Sequence, residues 1–521
     1  MHKLFQTVHE EHEDLIEGKI TGTIPSWLNG SLYRNGPGMY EVGENKYSHW
    51  FDPMAMFHRF YVKDGKAYYQ SKFLRSETYK RNMAENRIVF SQFGTVAFPD
   101  PCKNIFQRFL SYFQADDSPR DNTNVSFYPV GDELYATTET HIIHRVDPDT
   151  LDTMGTVDLT KYGAINNSSA HPHWDKDGTV HMIGNVYKEG AICIAKFPPK
   201  TSSAENFPQG EIVATVIRSN KMAMNYIHSY AMTDNYYVFV EQPLVINIWK
   251  IMLAKYTGTS MLSAMEWKPE LKAKFHILDK KTGKEVNADI SYEADAFIVF
   301  HHGNAYEDNG HIVLDLCAIS TDKPLQYSYL KNLQHEDCVK NWRKQESPKG
   351  RRYVLPLNVT KETPTGQNLI NLDGIKATAR KISEYAVHCD QELFSPISME
   401  FPQINYSNFN GKKYKYTYGV GFHNNGPHFN TVLKVDLTTK KTLEWAEDNC
   451  YPSEPIFVPN PNGAEEDDGV ILSAVNDTDF EDGRHAFLLI LDARDMKELA
   501  RVHFNVPRFP KDFHGYFRST A

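Results

Sequence analysis

The sequence predicts an all-β fold, read as a β-propeller, on three observations. Short apolar runs of strand length recur along almost the whole chain, turn signals separate them, and helical periodicity is scarce. The turns come in two kinds. One is an apolar pair, then Asp, then a turn: Val146-Asp147-Pro148-Asp149-Thr150-Leu151, Leu278-Asp279-Lys280-Lys281-Thr282-Gly283, Val435-Asp436-Leu437-Thr438-Thr439 and Leu491-Asp492-Ala493-Arg494-Asp495. The other is Asp-Gly or Asn-Gly, at Asp64-Gly65, Asp177-Gly178, Asn309-Gly310 and Asp468-Gly469. Such pairs favour two-residue hairpins because both central positions need φ > 0. Hairpins repeated at irregular spacing fit a propeller, with a sandwich or a pair of β-domains as alternatives. No Ser-, Gly- or Pro-rich linker divides the chain, so residues 1–521 are read as one domain capped by loops and short helices.

Composition narrows the class. With 521 residues, 41% hydrophobic and 13% aromatic, the chain has material for a large, aromatic-lined interior. A net charge of −10 without a basic stripe argues against nucleic acid as a partner. The six cysteines (Cys102, Cys193, Cys317, Cys338, Cys389, Cys450) form no CxxC pair, which fits free thiols in a reducing compartment. No run approaches the roughly 18 apolar residues of a membrane span. The start, Met1-His2-Lys3-Leu4-Phe5 and then an acidic stretch, lacks both a signal core and the Arg/Ser bias of a transit peptide. A cytoplasmic protein is expected.

Two segments interrupt the strand rhythm. Cys102–Gln114 sets Ile105, Phe106, Phe109, Leu110 and Phe113 at helical spacing, and Leu244–Trp267 is apolar and flecked with lysine. One reading is a pair of core-facing helices. The other is a membrane-facing patch whose aromatic residues dip into the headgroup boundary, giving peripheral (monotopic) contact with lipid.

Four histidines share a setting at the start or end of an apolar strand. They are His171 in Ser-Ala-His-Pro-His, His228 in Tyr-Ile-His-Ser, His301 in Phe-His-His-Gly and His514 in Phe-His-Gly. Ser229 and Gly515, which follow two of them, leave room for an ion. The chain holds 22 histidines and no local motif such as HExxH joins these four, so each one alone reads first as a structural or surface histidine. Strands from different blades can end near a propeller axis, and there the four are expected to meet at one metal. Neutral imidazoles suit Fe, Zn, Cu or Ni. Zinc favours a closed tetrahedral site without redox chemistry, whereas octahedral Fe(II) with four nitrogens keeps two positions for O2. Metal-bound imidazoles need an acceptor for the second nitrogen. Glu139, Glu400 and Glu454 lie in strand-like, low-charge settings suited to that role, and equally to surface exposure or an ion pair with Arg or Lys.

Several stretches, taken in order, resemble the carotenoid cleavage oxygenase family. They are Leu28-Asn29-Gly30-Ser31-Leu32-Tyr33-Arg34-Asn35-Gly36-Pro37-Gly38, His49-Trp50-Phe51-Asp52, Phe98-Pro99-Asp100-Pro101-Cys102-Lys103-Asn104, Glu400-Phe401-Pro402-Gln403, Tyr451-Pro452-Ser453-Glu454-Pro455 and Phe513-His514-Gly515. The resemblance runs almost the full length. It implies a seven-bladed propeller with an axial Fe(2+) on His171, His228, His301 and His514. It assigns Glu139, Glu400 and Glu454 to back His228, His301 and His514, leaving His171 without a glutamate. It makes Thr138 a residue that crowds an open coordination position, and it sets Phe93 and Tyr226 on the substrate cleft. Pro53 stands where the family usually has Gly after Phe-Asp, so that turn is expected to differ.

The activity so implied is cleavage of a carotenoid C=C bond by O2 into aldehydes. Stretches such as Lys46–Asp52 and Glu241-Gln242-Pro243-Leu244 are similar to the eccentric vertebrate enzyme and to insect isomerooxygenases. The reading adopted is central 15,15′ cleavage to retinal coupled to trans-to-cis isomerisation. Eccentric 9′,10′ cleavage, a retinyl ester isomerohydrolase and a non-catalytic carotenoid-binding propeller are the alternatives.

Overall fold

The computed structural model describes residues 2–98, 102, 118–200, 206–218, 223–335, 337, 338, 340, 344–422, 428–478 and 486–520. These residues form an all-β architecture with a few short helices. Seven sheets have four to six strands, with a three-stranded and a two-stranded sheet beside them.

The repeated Asp motif explains how the hairpins close. In each copy the aspartate carboxylate accepts a backbone N–H two residues on: Asp149 for Asp147, Lys281 for Asp279, Thr438 for Asp436 and Arg494 for Asp492. The fourth residue after the aspartate then takes positive φ and donates its N–H back to the aspartate carbonyl, as at Leu151, Gly283, Lys440 and Met496. These are Asx turns extended by one left-handed residue, so the aspartate acts through its side chain rather than as surface charge. Asp64-Gly65 and Asn309-Gly310 are the two-residue turns expected, with both central residues at positive φ. Asp468-Gly469 is not a hairpin turn. Gly469 opens the strand Gly469–Asp477, and the Asp468 carboxylate accepts the Ala464 and Glu465 N–H groups of the preceding loop.

The apolar faces pack sheet on sheet in a cyclic order. Tyr33 and Phe57 of the first sheet meet Phe127 and Leu134 of the second. Tyr128, Tyr135 and Ile143 of the second meet Val180 and Met182 of the third. Ile192 and Ile194 of the third meet Tyr237 and Phe239 of the fourth, whose Val238 and Phe275 meet Leu314 and Tyr353 of the fifth. Val313 and Val354 continue to Leu433 and Val435 of the sixth, and Tyr418 and Val432 of the sixth continue to Ile471 and Phe487 of the seventh. Leu472, Leu488 and Val502 of the seventh then close on Leu32, Phe60 and Val62 of the first. Both ends of the chain stitch this arrangement. His514–Ser519 pairs with Gly30–Met39, and Lys19–Gly22 pairs with Glu498–His503.

Of the two interrupting segments, Cys102–Gln114 lies outside the described residues except for Cys102. Leu244–Trp267 is not one helix. Leu244–Asn247 and Met265–Trp267 pair as strands, with the helix Ile248–Thr257 and the short turn Met261–Ala264 inserted between them. Asn247 caps the helix by accepting the Lys250 N–H, and Gly258 ends it in the left-handed conformation. The helix faces a core on one side only: Ile251 packs against the cluster of Leu244, Ile246 and Leu262, whereas Trp249, Met252 and Leu253 are 57%, 60% and 52% exposed. No helix among the described residues is long and apolar enough to cross a membrane.

Candidate metal centre

The four histidines come from the edge strands of four different sheets, or from just before them. His301 lies in Ile298–Asp308 and His514 opens His514–Ser519. His171 precedes His173–Trp174, and His228 precedes Ala231–Met232. Their ligand nitrogens all lie within 4.8 Å of one another. Nε2 of His171 is 3.0 Å from that of His228, which is 3.2 Å from that of His301, which is 3.2 Å from that of His514.

The far side of three rings fixes which nitrogen is free. His228 Nδ1 is 2.5 Å from Glu139 Oε1, His301 Nδ1 is 2.5 Å from Glu400 Oε2, and His514 Nδ1 is 2.8 Å from Glu454 Oε1. A carboxylate can only accept, so Nδ1 carries the hydrogen and Nε2 presents its lone pair to the common point. Among the described residues no carboxylate backs His171. Its backbone N–H donates to Ser169 Oγ, which in turn donates to the His228 carbonyl.

Burial holds His171 well below the ordinary histidine pKa and lowers His228, and it brings His514 to about 4; the neighbouring imidazoles push in the same direction. These rings are therefore neutral near pH 7. Convergent lone pairs at such distances repel unless a cation lies among them. Neutral imidazoles with carboxylate-anchored second nitrogens are the donor set of a divalent first-row metal, and the residues fit one.

The site opens on a cavity of about 1930 Å³ whose wall includes His228, His301, His514, Thr138, Glu139 and Glu400. Pockets for drug-sized ligands span roughly 300–1,000 Å³, so this one suits a longer molecule. Its lining is mixed: Phe51, Phe93, Phe300, Phe401, Phe422 and Phe429 face it, and so do charged residues such as Arg81, Glu85, Arg120 and Arg218. Phe93 and Tyr226 are both on the wall. The Tyr226 hydroxyl does more than line: it donates to Glu139 Oε1 at 2.7 Å, beside the His228 contact.

Other residues at the site were not anticipated. Phe401 takes positive φ, its N–H donates to Glu400 Oε2 at 2.6 Å, and its ring lies 4.9 Å from that of His301. Backbone strain of this kind persists where surrounding contacts over-determine it. Gln403 Nε2 donates to Glu454 Oε1 at 2.9 Å, and Arg34 reaches Glu454 from behind. The available signals were weak: Gln403 sits within Glu400-Phe401-Pro402-Gln403, and Arg34 is a charged residue inside an otherwise uncharged strand. At the Pro53 turn, Asn122 and Asn124 donate to the Pro53 carbonyl, while Asp52 accepts the Gly94 N–H and the Thr95 hydroxyl. The turn is satisfied without an N–H from residue 53.

Replacing Glu400 with Gln is expected to weaken metal binding about 10–100-fold, as loss of an outer partner does. Titration of the metal-free variant measures this, and an unchanged affinity counts against the role of Glu400.

Comparison with known proteins places the chain in a family. The family model described as retinal pigment epithelial membrane protein matches residues 5–519. The carotenoid-cleaving dioxygenase, mitochondrial, of Mustela putorius furo is 41% identical over 525 residues, covering 98% of this chain and 95% of that protein. The beta,beta-carotene 15,15′-dioxygenase of Homo sapiens is 40% identical, covering 99% and 94%. Among solved structures, a Glu150Gln mutant of the Synechocystis apocarotenoid oxygenase superposes with a TM-score of 0.78 at 22% identity, covering 99% of this chain and 98% of that one. The cobalt-substituted form of that oxygenase gives 0.77 at 23%, with the same coverage. The chain belongs to the carotenoid oxygenase family.

Proposed function

We propose that this chain is a single seven-bladed propeller and an Fe(II)-dependent dioxygenase that cleaves a carotenoid at the central 15,15′ bond. The cyclic packing of seven sheets and the pairing of both chain ends support the propeller reading. One observation carries the activity: four Nε2 atoms converge at the edge of a large cavity, with His228, His301 and His514 on its wall among several phenylalanines. The names of the relatives, a carotenoid-cleaving dioxygenase and a beta,beta-carotene 15,15′-dioxygenase, supply the substrate class.

His171, His228, His301 and His514 would hold the metal through Nε2, and a redox-active metal bound there would supply the electrons for O2 activation. Glu139, Glu400 and Glu454 keep three of the rings in the correct tautomer and orientation. The phenylalanine walls hold the polyene and exclude water. Each buried methylene-sized group contributes about 0.8 kcal/mol, so a long hydrocarbon needs no charged anchor. Thr138, on the wall next to Glu139, would narrow the space beside the bound metal. The balance is simple: one C=C bond and one O2 become two aldehydes, with no proton gained or lost and no side-chain nucleophile. Rotation about a bond of the retained polyene accompanies cleavage, giving a cis product.

The helix Ile248–Thr257 supports peripheral membrane contact. It turns Ile251 and Ala254 to the cavity and Trp249 and Leu253 to solvent, so a lipid surface at that face would lie beside the cavity entrance. Cys193, Cys317, Cys389 and Cys450 are free thiols, which supports a reducing compartment such as the cytoplasm.

The test is incubation of the iron-loaded protein with β-carotene in air and under nitrogen. Retinal formed only in air, partly as a cis isomer on chromatography, is the expected result. Apocarotenals would move the cut to an eccentric bond, and turnover of a retinyl ester without O2 would make the protein an isomerohydrolase.

A further inference from the structure

The three glutamates behind the imidazoles are not equivalent. Glu139 takes its extra hydrogen bond from the Tyr226 hydroxyl and Glu400 from the Phe401 N–H, and no Lys or Arg pairs with either among the described residues. Glu454 instead belongs to a sealed ionic array. The fully buried Arg34 donates from Nε to Asp512 Oδ2 at 2.9 Å and from Nη2 to Asp512 Oδ1 at 2.7 Å, a two-pronged grip. Its Nη1 reaches the Glu454 carbonyl at 3.1 Å and Glu454 Oε2 at 3.4 Å, and Nη2 reaches the Phe513 carbonyl at 3.4 Å. His58 Nε2 adds a contact of 2.8 Å to Asp512.

This array meets the backbone that carries His514. Arg34 lies opposite Gly515 in the ladder and Asn35 lies opposite His514. A Cβ on Gly515 would sit 2.7 Å from both Cδ and Nη1 of Arg34, so the strand approaches the guanidinium as closely as a side-chain-free residue allows. The Gly515 N–H in turn donates to Glu454 Oε2 at 2.9 Å.

We infer that Arg34 is a positioning residue of the metal centre: by gripping Asp512, the Phe513 carbonyl and Glu454 together, it sets where His514 Nε2 points. The inference rests on the reading of the four histidines as a metal site. Lysine cannot replace it, because a point charge on a flexible stem cannot hold two carboxylates and two carbonyls in one plane.

The probe is Co(II) alone, titrated into metal-free protein, read by affinity and by the visible absorption of the bound ion. Arg34→Lys is expected to bind Co(II) about 10–100-fold more weakly than wild type, with a shifted absorption band. Should Arg34→Lys fail to fold by circular dichroism, Arg34→Met combined with Asp512→Asn removes both charges together and is expected to show the same loss. Arg352→Lys is the control. Arg352 grips Asp315 at 2.7 Å with both Nε and Nη2, a buried fork with no hydrogen bond to any of the three glutamates. It is expected to keep wild-type affinity and spectrum. Wild-type Co(II) binding and spectrum in a folded Arg34 variant overturn the inference while leaving the metal site standing. Equal losses in the Arg352 variant also overturn it, by assigning the effect to general loosening. Absence of Co(II) binding by wild type removes the four-histidine reading itself.

Discussion

His301→Ala is expected to abolish stoichiometric iron and aldehyde formation while the protein still folds. His301 is an interior link of the four, with Nε2 3.2 Å from that of His228 and 3.2 Å from that of His514. Its loss leaves three nitrogens and a gap in the middle of the set. The effect on iron affinity should exceed the roughly 100-fold upper range for an outer partner, because a ligand itself is gone. A complication is that Glu400, 6% exposed, would lose one of the two donors to its Oε2 and keep only the Phe401 N–H. An uncompensated buried carboxylate costs stability on its own account. The double variant His301→Ala with Glu400→Gln separates the two, since it loses the ligand without stranding the charge. Iron per chain by elemental analysis and product by chromatography are the readouts. Full iron occupancy with normal turnover in the double variant would end the four-histidine centre. A protein that only binds carotenoid gives a different pattern: polyene affinity unchanged by the substitution, with neither iron nor product in wild type.

Much of this site was legible because its chemistry is confined to a few residue types at strand ends. The four histidines and three glutamates could be proposed from their settings and from the family resemblance, and the structure brings each pair to hydrogen-bonding distance. Residues whose importance depends on long-range register were not legible. Arg34 matters because Gly30–Met39 pairs with the last strand so that Asn35 meets His514, and no local pattern encodes that pairing. The same holds for Tyr226, which reads as an aromatic wall residue until Glu139 arrives from another sheet. The hairpins were legible for a local reason, since an Asp at a strand end can close its own turn. Leu244–Trp267 misled because its apolar content hid the two signals that divide it, Asn247 as a cap and Gly258 as a stop.

The second large effect concerns stability rather than chemistry. In the fourth sheet, His276 Nε2 is 2.9 Å from Glu241 Oε2 and its Nδ1 is 2.7 Å from Glu285 Oε1, with the ring stacked 4.8 Å from Phe239. Burial alone would lower the pKa, but the two carboxylates outweigh it and raise it to about 9, so the folded protein holds an imidazolium near pH 7. Because the folded value lies above the unfolded one of 6.5, the stabilisation is complete below pH 6.5 and disappears as pH rises through 9. Its size is on the order of 3 kcal/mol. Wild type alone cannot reveal this, since Lys511 contributes with the opposite sign. Burial lowers the Lys511 ammonium to about 8, so its contribution grows more favourable as pH rises from there toward the unfolded value of 10.5. The difference between wild type and His276→Gln cancels that background. Denaturant unfolding is expected to find the variant less stable by that amount near pH 6.5, with the gap closing by about pH 9.5. Parallel stability curves across this range would mean that the imidazole is neutral in the folded protein and that one of the two carboxylates carries the proton.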